Sequence, residues 1–389
     1  MEPIELKSQY RHALLPEPSS EELSRQDFVK SLKFHLASTI STGNKNAFDG
    51  RAARRFEKAE GRPPETMHDV RRAMQGDPYF NFWSALQRNS QEMMWKSVQM
   101  PVERQLGDLI ERAAGDEGPG SLTLDPDVAV PAYHTAVDIH CMPGGYHTEF
   151  TENDVANGAV YDRAVYIYAM GRMGPFNSDI GDTAIALIKS RFPDLKPRRI
   201  LDMGCAVGHS TLPYCDAWPE AEVHAIDVGA PVLRYAHGRA RSLGYPVHFS
   251  QQNAESTRFP DGHFDLIVSH ILVHETSARA IRAIMREARR LLAPGGVVLH
   301  GETPPYRDLP AYDAFMLDWD TRNNNEPFWG ASHEIEPARI AAETGFDPDK
   351  AFEAYQPSAF EAAEQERTKV FQGGDFGGGG AWYFWGVQK

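Results

Sequence analysis

Apolar residues along this chain follow two different periods, and the change falls near its middle. From residue 19 to about 113 they recur every three or four positions, the spacing of one helix face. "SSEELSRQDFVKSLKFHLASTI" opens with Ser19 and Glu22 at capping-box spacing and then sets Phe28, Val29, Leu32 and Leu36 along one expected face. Thr66 and Asp69 announce another helix, and "NFWSALQRNSQEMMWKSVQM" continues helical until Pro101, where an interruption is expected. The Met and Trp side chains of that stretch read as packing. "GDEGPGSLTLDPDVAVP", 115 to 131, is turn-rich and reads as a linker.

From about 181 onward, short apolar runs alternate with helical segments. Strands are expected at 198–203, 222–227, 246–250, 264–269 and 296–301, and "AWYFWGVQ" alternates well enough for a last one after the Gly-rich "FQGGDFGGGG". Runs apolar on both faces, with helices between, predict an α/β fold: a doubly wound, mostly parallel, Rossmann-like sheet. Seven strands are expected, with an additional, mainly helical N-terminal domain over 1–130. Residues 131–180 form a lid or connector, and 181–389 form the core, with a cap insertion at 303–333. That insertion is longer than a plain connection and rich in aromatics.

Charge narrows the function. The net charge of −14 argues against nucleic acid as partner, because phosphates are bound by clustered Lys and Arg. No run approaches the ~18 apolar residues of a membrane span, and the N-terminus has no signal-peptide core. Cys141, Cys205 and Cys215 make no disulfide framework, which suits a reducing compartment. A cytoplasmic protein is expected.

The candidate chemistry starts at "RRILDMGCAVGHSTLPY", residues 198–214, where a strand runs into a glycine turn and a helix. Glycines bare the backbone, and the helix end offers unpaired N–H groups to a polar ligand. A dinucleotide fingerprint needs G-x-G-x-x-G, and the sequence from Gly204 lacks its second and third glycines. Asp202 would repel a pyrophosphate and suits a ligand with a positive amino group. Asp227 ends the next expected strand, nineteen residues past Gly208, in place to accept both hydroxyls of a ribose. S-adenosylmethionine fits these features better than a nicotinamide cofactor.

"LDMGCAVG" resembles the D-x-G-x-G-x-G motif of class I S-adenosylmethionine-dependent methyltransferases, with Ala206 in place of the middle glycine. "VHAID", "QQNAESTRFPDGHFDLIVSHILVHE" and "LLAPGGVVLHGE" resemble that family's next three segments, in order, over about 181–302. The resemblance implies that Asp202 and Gly204 face the methionine part of the cofactor and that Cys205, Ala206 and Gly208 shape the turn. It implies that Asp227 binds the ribose with Val228 against the adenine, that Asn253, Ala254 and Glu255 border the adenine, and that Ser269 and His270 lie beside the sulfonium.

His270 and His274, four apart, share a face if the segment after the strand turns helical, and they are the candidate catalytic bases. H-x-x-x-H-E matches neither zinc-protease pattern, no third ligand is evident, and no carboxylate ends the strand, so no metal is expected. The stretch 133–161 offers Tyr133, His134, His140, Tyr146, His147 and Tyr161, either as a lid or as cement between domains. Tyr161 is assigned to the cofactor; Tyr146, His147, Arg307, Trp319 and Trp329 are assigned to the substrate.

The expected activity is O-methylation of a small aromatic or carboxylate-bearing metabolite. The rival classes are a nicotinamide-dependent oxidoreductase and a non-methylating assembly protein that keeps the fold. The helical N-terminal zone, which carries no motif with chemistry, is expected either to serve the substrate side or to form a homodimer.

Overall fold

Strands form where the apolar runs predict them, because both faces of the central sheet are covered. The computed structural model describes residues 8–115, 118–360 and 380–389. Its strands are β1 Ser121–Thr123, β2 Arg199–Met203, β3 Glu222–Asp227, β4 Val247–Gln251, β5 Phe264–His270, β6 Leu292–Glu302, β7 Ala351–Pro357 and β8 Ala381–Gln388. They form one sheet in the order β1-β4-β3-β2-β5-β6-β8-β7. The pairs from β1 through β6 are parallel, and β8 runs antiparallel to both β6 and β7.

Alternate side chains feed two separate cores. Ile200, Ala225, Leu266 and Val297 pack with Ile180, Ala184 and Ile188 of the helix Asp179–Arg191 and with Leu233 and Ala236 of the helix Ala230–Ser242. Their neighbours Leu201, Ile226, Ile267 and Val298 face the opposite way, onto Ile281, Ile284 and Ala288 of the helix Ala278–Leu291. The chain leaves β2 for β3 on one side and later returns to place β5 on the other. The strand order therefore reverses between β2 and β5, and such a reversal opens a crevice at the carboxyl ends of the strands.

The fold class is the expected one, with corrections of detail. Among the described residues the sheet has eight strands, where seven were expected. β1 lies inside the stretch expected to be a linker and pairs with β4 through only three residues, too few to show a period. β7 was not anticipated either, and the Gly-rich stretch before β8 lies mostly outside the described residues. Pro101 does not interrupt its helix, which runs unbroken from Pro78 to Ala113. A proline removes the N–H that the carbonyl four residues back needs; here Gln26 Nε2 donates to the Ser97 carbonyl instead, at 3.3 Å. Both capping boxes form, at Ser19/Glu22 and Thr66/Asp69. On the helix Ser20–His35, however, Phe28 is exposed, and the buried side includes Gln26, Val29, Lys30 and Lys33.

The N-terminal helices do not stand apart. Val29, Met94, Trp95 and Val98 share one apolar cluster with Val160, Val207, Val232 and Tyr235. At its centre Asp162 is fully buried, accepting from Gln9 Nε2 at 2.8 Å and Tyr235 Oη at 2.9 Å and meeting His12 and His209 at 2.9 and 2.8 Å. Burial alone would raise that carboxyl's pKa; the His209 and His12 contacts instead pull it well below the ordinary value.

Candidate functional site

The crevice between β2 and β5 opens as a cleft at the carboxyl ends of the strands, where small-molecule sites of such sheets lie. Its floor is the turn after β2. Gly204, Ala206 and Gly208 all have positive φ, at 74°, 44° and 78°. A Cβ on Gly204 would stand 2.6 Å from Leu272 Cδ1, so a larger residue would have to push that side chain aside and adopt a left-handed backbone. Ala206 adopts the left-handed conformation at some steric cost, and its N–H donates to Asp227 Oδ2 at 3.0 Å. The other oxygen of Asp227 accepts from the Gly229 amide at 2.9 Å. Burial pushes the Asp227 pKa up, and those amide donors oppose the rise. The carboxylate is thereby fixed at the cleft wall, at the end of β3.

Of the residues the sequence singled out, Gly204, Ala206, Asp227, Val228, Asn253, Ala254 and His270 line the cleft. Asp202, Cys205 and Gly208 shape the turn from behind. Asp202 Oδ2 accepts the Thr211 hydroxyl at 2.5 Å, and its Oδ1 faces His270 Nδ1 at 3.5 Å. Glu255 stands off the wall and accepts from Tyr133 Oη at 3.0 Å. Ser269 is turned away: its hydroxyl pairs with His300 Nδ1 at 2.7 Å inside the sheet.

The opposite wall comes from the connector and from the segment after β5. His134 stacks on Tyr146, with ring centres 5.6 Å apart, and Tyr146 meets Tyr161 edge-on at 5.4 Å. Burial pushes both phenol pKa values up, so each stays a hydroxyl. After β5, Ile271 takes φ 51°, an outlier for a β-branched residue, and Val273–Glu275 forms a single 3₁₀ turn. His270 and His274 therefore do not share a face. His270 lines the cleft with Nε2 against Tyr214 Oη at 3.1 Å, while His274 turns inward, 2% exposed, with Nδ1 at 2.7 Å from Glu302 Oε2. The residue presented to the cleft is Glu275, which sequence reasoning passed over. Its Oε1 accepts from Tyr146 Oη at 2.9 Å and meets His140 Nε2 at 2.8 Å. Burial would raise its pKa; the His140 contact overrides that and holds Glu275 below the ordinary carboxylate value.

Residues 200–296 match the family profile described as "Methyltransferase domain". The demethylmenaquinone methyltransferase of Thermus thermophilus is 34% identical over 31% of this chain and 52% of its own length. The malonyl-[acyl-carrier protein] O-methyltransferase of Halorhodospira halophila is 30% identical over 28% of this chain and 36% of its own. The chain thus spans about half, or less, of these relatives. The solved phosphoethanolamine N-methyltransferase 2 of Haemonchus contortus is 14% identical, with a TM-score of 0.39 over 59% of this chain and 57% of that one. The first match covers the glycine turn, Asp227 and β5 together. Over this stretch the chain is similar to S-adenosylmethionine-dependent methyltransferases of class I.

Around this cleft, the residues assigned to the substrate divide. Tyr146 lines the cleft, as does Tyr161, which was assigned to the cofactor. His147 lies beside His134, with ring centres 5.7 Å apart, outside the wall. Arg307 is paired with Glu353 and donates to the Ile335 carbonyl at 2.8 Å, so its charge is spent on the far side of the cap insertion. Trp319 Nε1 donates to Ser84 Oγ at 2.8 Å, which fastens the cap to the long N-terminal helix. Trp329 donates to the Leu317 carbonyl at 2.9 Å and packs its ring 4.8 Å from that of His274. Both tryptophans build the cap and neither reaches the wall. Among the described residues no helix is long and apolar enough to cross a membrane.

Proposed function

We propose that the protein binds S-adenosylmethionine in this cleft and transfers its methyl group to a hydroxyl or carboxylate oxygen of a small molecule. The observation that carries the reading is the fixed Asp227 carboxylate beside a turn of three left-handed residues, with Val228, Asn253 and Ala254 continuing the same wall. These residues fit the cofactor: Gly204 leaves room where a Cβ would collide, and Asp227 offers a charged acceptor for ribose hydroxyls.

When bound, S-adenosylmethionine supplies a methyl carbon on a positively charged sulfur, which leaves as a neutral thioether. The chain's part is then positioning and water exclusion. Tyr146 and Tyr161 close the wall with aromatic faces that favour a nearby cation. Glu275, anionic and cleft-facing, orients a hydroxyl acceptor and takes its proton as the new C–O bond forms and the C–S bond breaks. A carboxylate acceptor needs no such transfer. The small, half-enclosed cleft and the net charge of −14 favour a metabolite over a nucleic acid.

Incubation with methyl-deuterated S-adenosylmethionine and a panel of phenols and carboxylic acids, read by mass spectrometry, tests this. A labelled ether or ester is expected. Label appearing only on nitrogen or carbon would overturn the oxygen assignment, and NADH-dependent reduction without methylation would overturn the whole reading.

A further inference from the structure

The second cluster of chemistry lies behind the cleft wall, where three distant segments meet. We propose that His140, His274 and Glu326 form a binding site for a divalent transition-metal ion of the zinc or ferrous-iron type. One ligand atom from each residue lies within 4.8 Å of the others. Both His274 and Glu326 have side chains 2% exposed.

The hydrogen-bond inventory shows what is missing. Glu302 accepts the Val273 amide on one oxygen, at 2.7 Å, and meets His274 Nδ1 with the other, at 2.7 Å. With Nδ1 donating to Glu302, a neutral His274 presents the lone pair of its Nε2. That atom and Glu326 Oε2 face each other at 4.0 Å, and neither has a hydrogen-bond partner among the described residues. A proton on Nε2 could not bridge 4.0 Å. A neutral His274 leaves two buried acceptors facing one another, and a cation between them satisfies both. The other oxygen of Glu326 accepts from Asn324 Nδ2 at 2.9 Å and meets His140 Nδ1 at 2.6 Å. Ligand atoms around a tetrahedral zinc stand about 3.3 Å apart. From separations of up to 4.8 Å, shifts of about 1.5 Å or less would reach that spacing.

Each histidine is held on its far side by a carboxylate, Glu302 for His274 and Glu275 for His140, as metal-bound imidazoles usually are. His140 and Cys141 both sit at positive φ, 55° and 58°, and the His140 carbonyl is pinned by Trp95 Nε1 at 2.7 Å and Gln91 Nε2 at 3.1 Å. Consecutive strained residues in a buried position mark a geometry that the surroundings impose. Two imidazoles and one carboxylate suit zinc or ferrous iron and leave a coordination position open; magnesium and calcium prefer oxygen. The site would clamp the connector (His140), the turn after β5 (His274) and the cap insertion (Glu326) together, directly behind Glu275. The sequence argued against a metal because H-x-x-x-H-E fits no zinc-protease pattern and shows no third ligand; the fold brings His274 two partners more than fifty residues away.

The test uses the full chain, freed of metal by chelator and carrying no affinity tag, and does not depend on methyl transfer. Calorimetric titration with ZnCl2 should show one tight site, with no comparable binding of MgCl2. Glu326→Gln should weaken zinc at least about a hundredfold while far-UV circular dichroism stays that of wild type, and His68→Ala, on the surface, should leave it unchanged. X-ray absorption on zinc-loaded wild-type protein needs no variant and should show two imidazoles and no sulfur. Zinc affinity unchanged in Glu326→Gln, affinity lost instead in His248→Ala at the half-buried His224–His248 pair, or a sulfur neighbour to the metal would each overturn the site.

Discussion

Tyr146 Oη donates to Glu275 Oε1 at 2.9 Å, and the same oxygen lies 2.8 Å from His140 Nε2, so one carboxylate on the cleft wall is held from two sides. This fixes where a proton can go during methyl transfer to a hydroxyl. Glu275→Gln keeps the size and removes the charge. Turnover of a phenolic or alcoholic acceptor should fall about 10²- to 10⁴-fold, while affinity for S-adenosylhomocysteine stays nearly constant. With a carboxylate acceptor the loss should be far smaller. Equal losses for both acceptor types would remove Glu275 from proton transfer.

The unbroken helix through Pro101 makes a stability prediction. Gln26→Leu leaves the Ser97 carbonyl buried without a donor, at a cost of about 1–3 kcal/mol. Pro101→Ala restores an N–H at the right position, so in that background Gln26→Leu should cost measurably less in urea unfolding. An equal loss in both backgrounds would mean that Gln26 acts only through Arg163, which donates to its Oε1 at 2.8 Å.

Much of this was legible in the chain because buried geometry writes periodic patterns. β2 through β6 show as apolar runs, since helices cover both faces, and the two capping boxes show as fixed spacings. The glycine turn, Asp227, Val228, Asn253 and Ala254 were readable because the positive φ values and the acidic strand end demand particular residues. The rest depends on contacts far apart in sequence. β1 is an edge of three residues. Gln26 compensates a proline seventy-five positions away. The separation of His270 from His274 follows from the left-handed Ile271, which no local preference announces. Glu275 stood in the quoted motif, yet its role depends on His140 and Tyr146.

His300 should give the protein a measurable acid sensitivity. Burial, with His270 nearby, pushes its pKa down to about 3, and its Nδ1 is engaged by Ser269. In the unfolded chain it protonates near 6.5. Stability from this group is thus full above about pH 6.5 and is lost as pH falls toward 3, at up to ~1.4 kcal/mol per pH unit. Comparing urea unfolding at pH 7 and pH 5, wild type should lose more stability than His300→Gln. The same loss in both would contradict the assignment.

The central claim is that Asp227 and the turn beneath it hold S-adenosylmethionine. It is tested most directly by calorimetric titration of S-adenosylhomocysteine into wild type and Asp227→Ala. Wild type should bind one equivalent, and the variant should bind about ten- to a hundredfold more weakly, the cost of about 1.5–3 kcal/mol in charge-assisted hydrogen bonds. No binding to wild type, or equal affinity in the two proteins, would contradict the account.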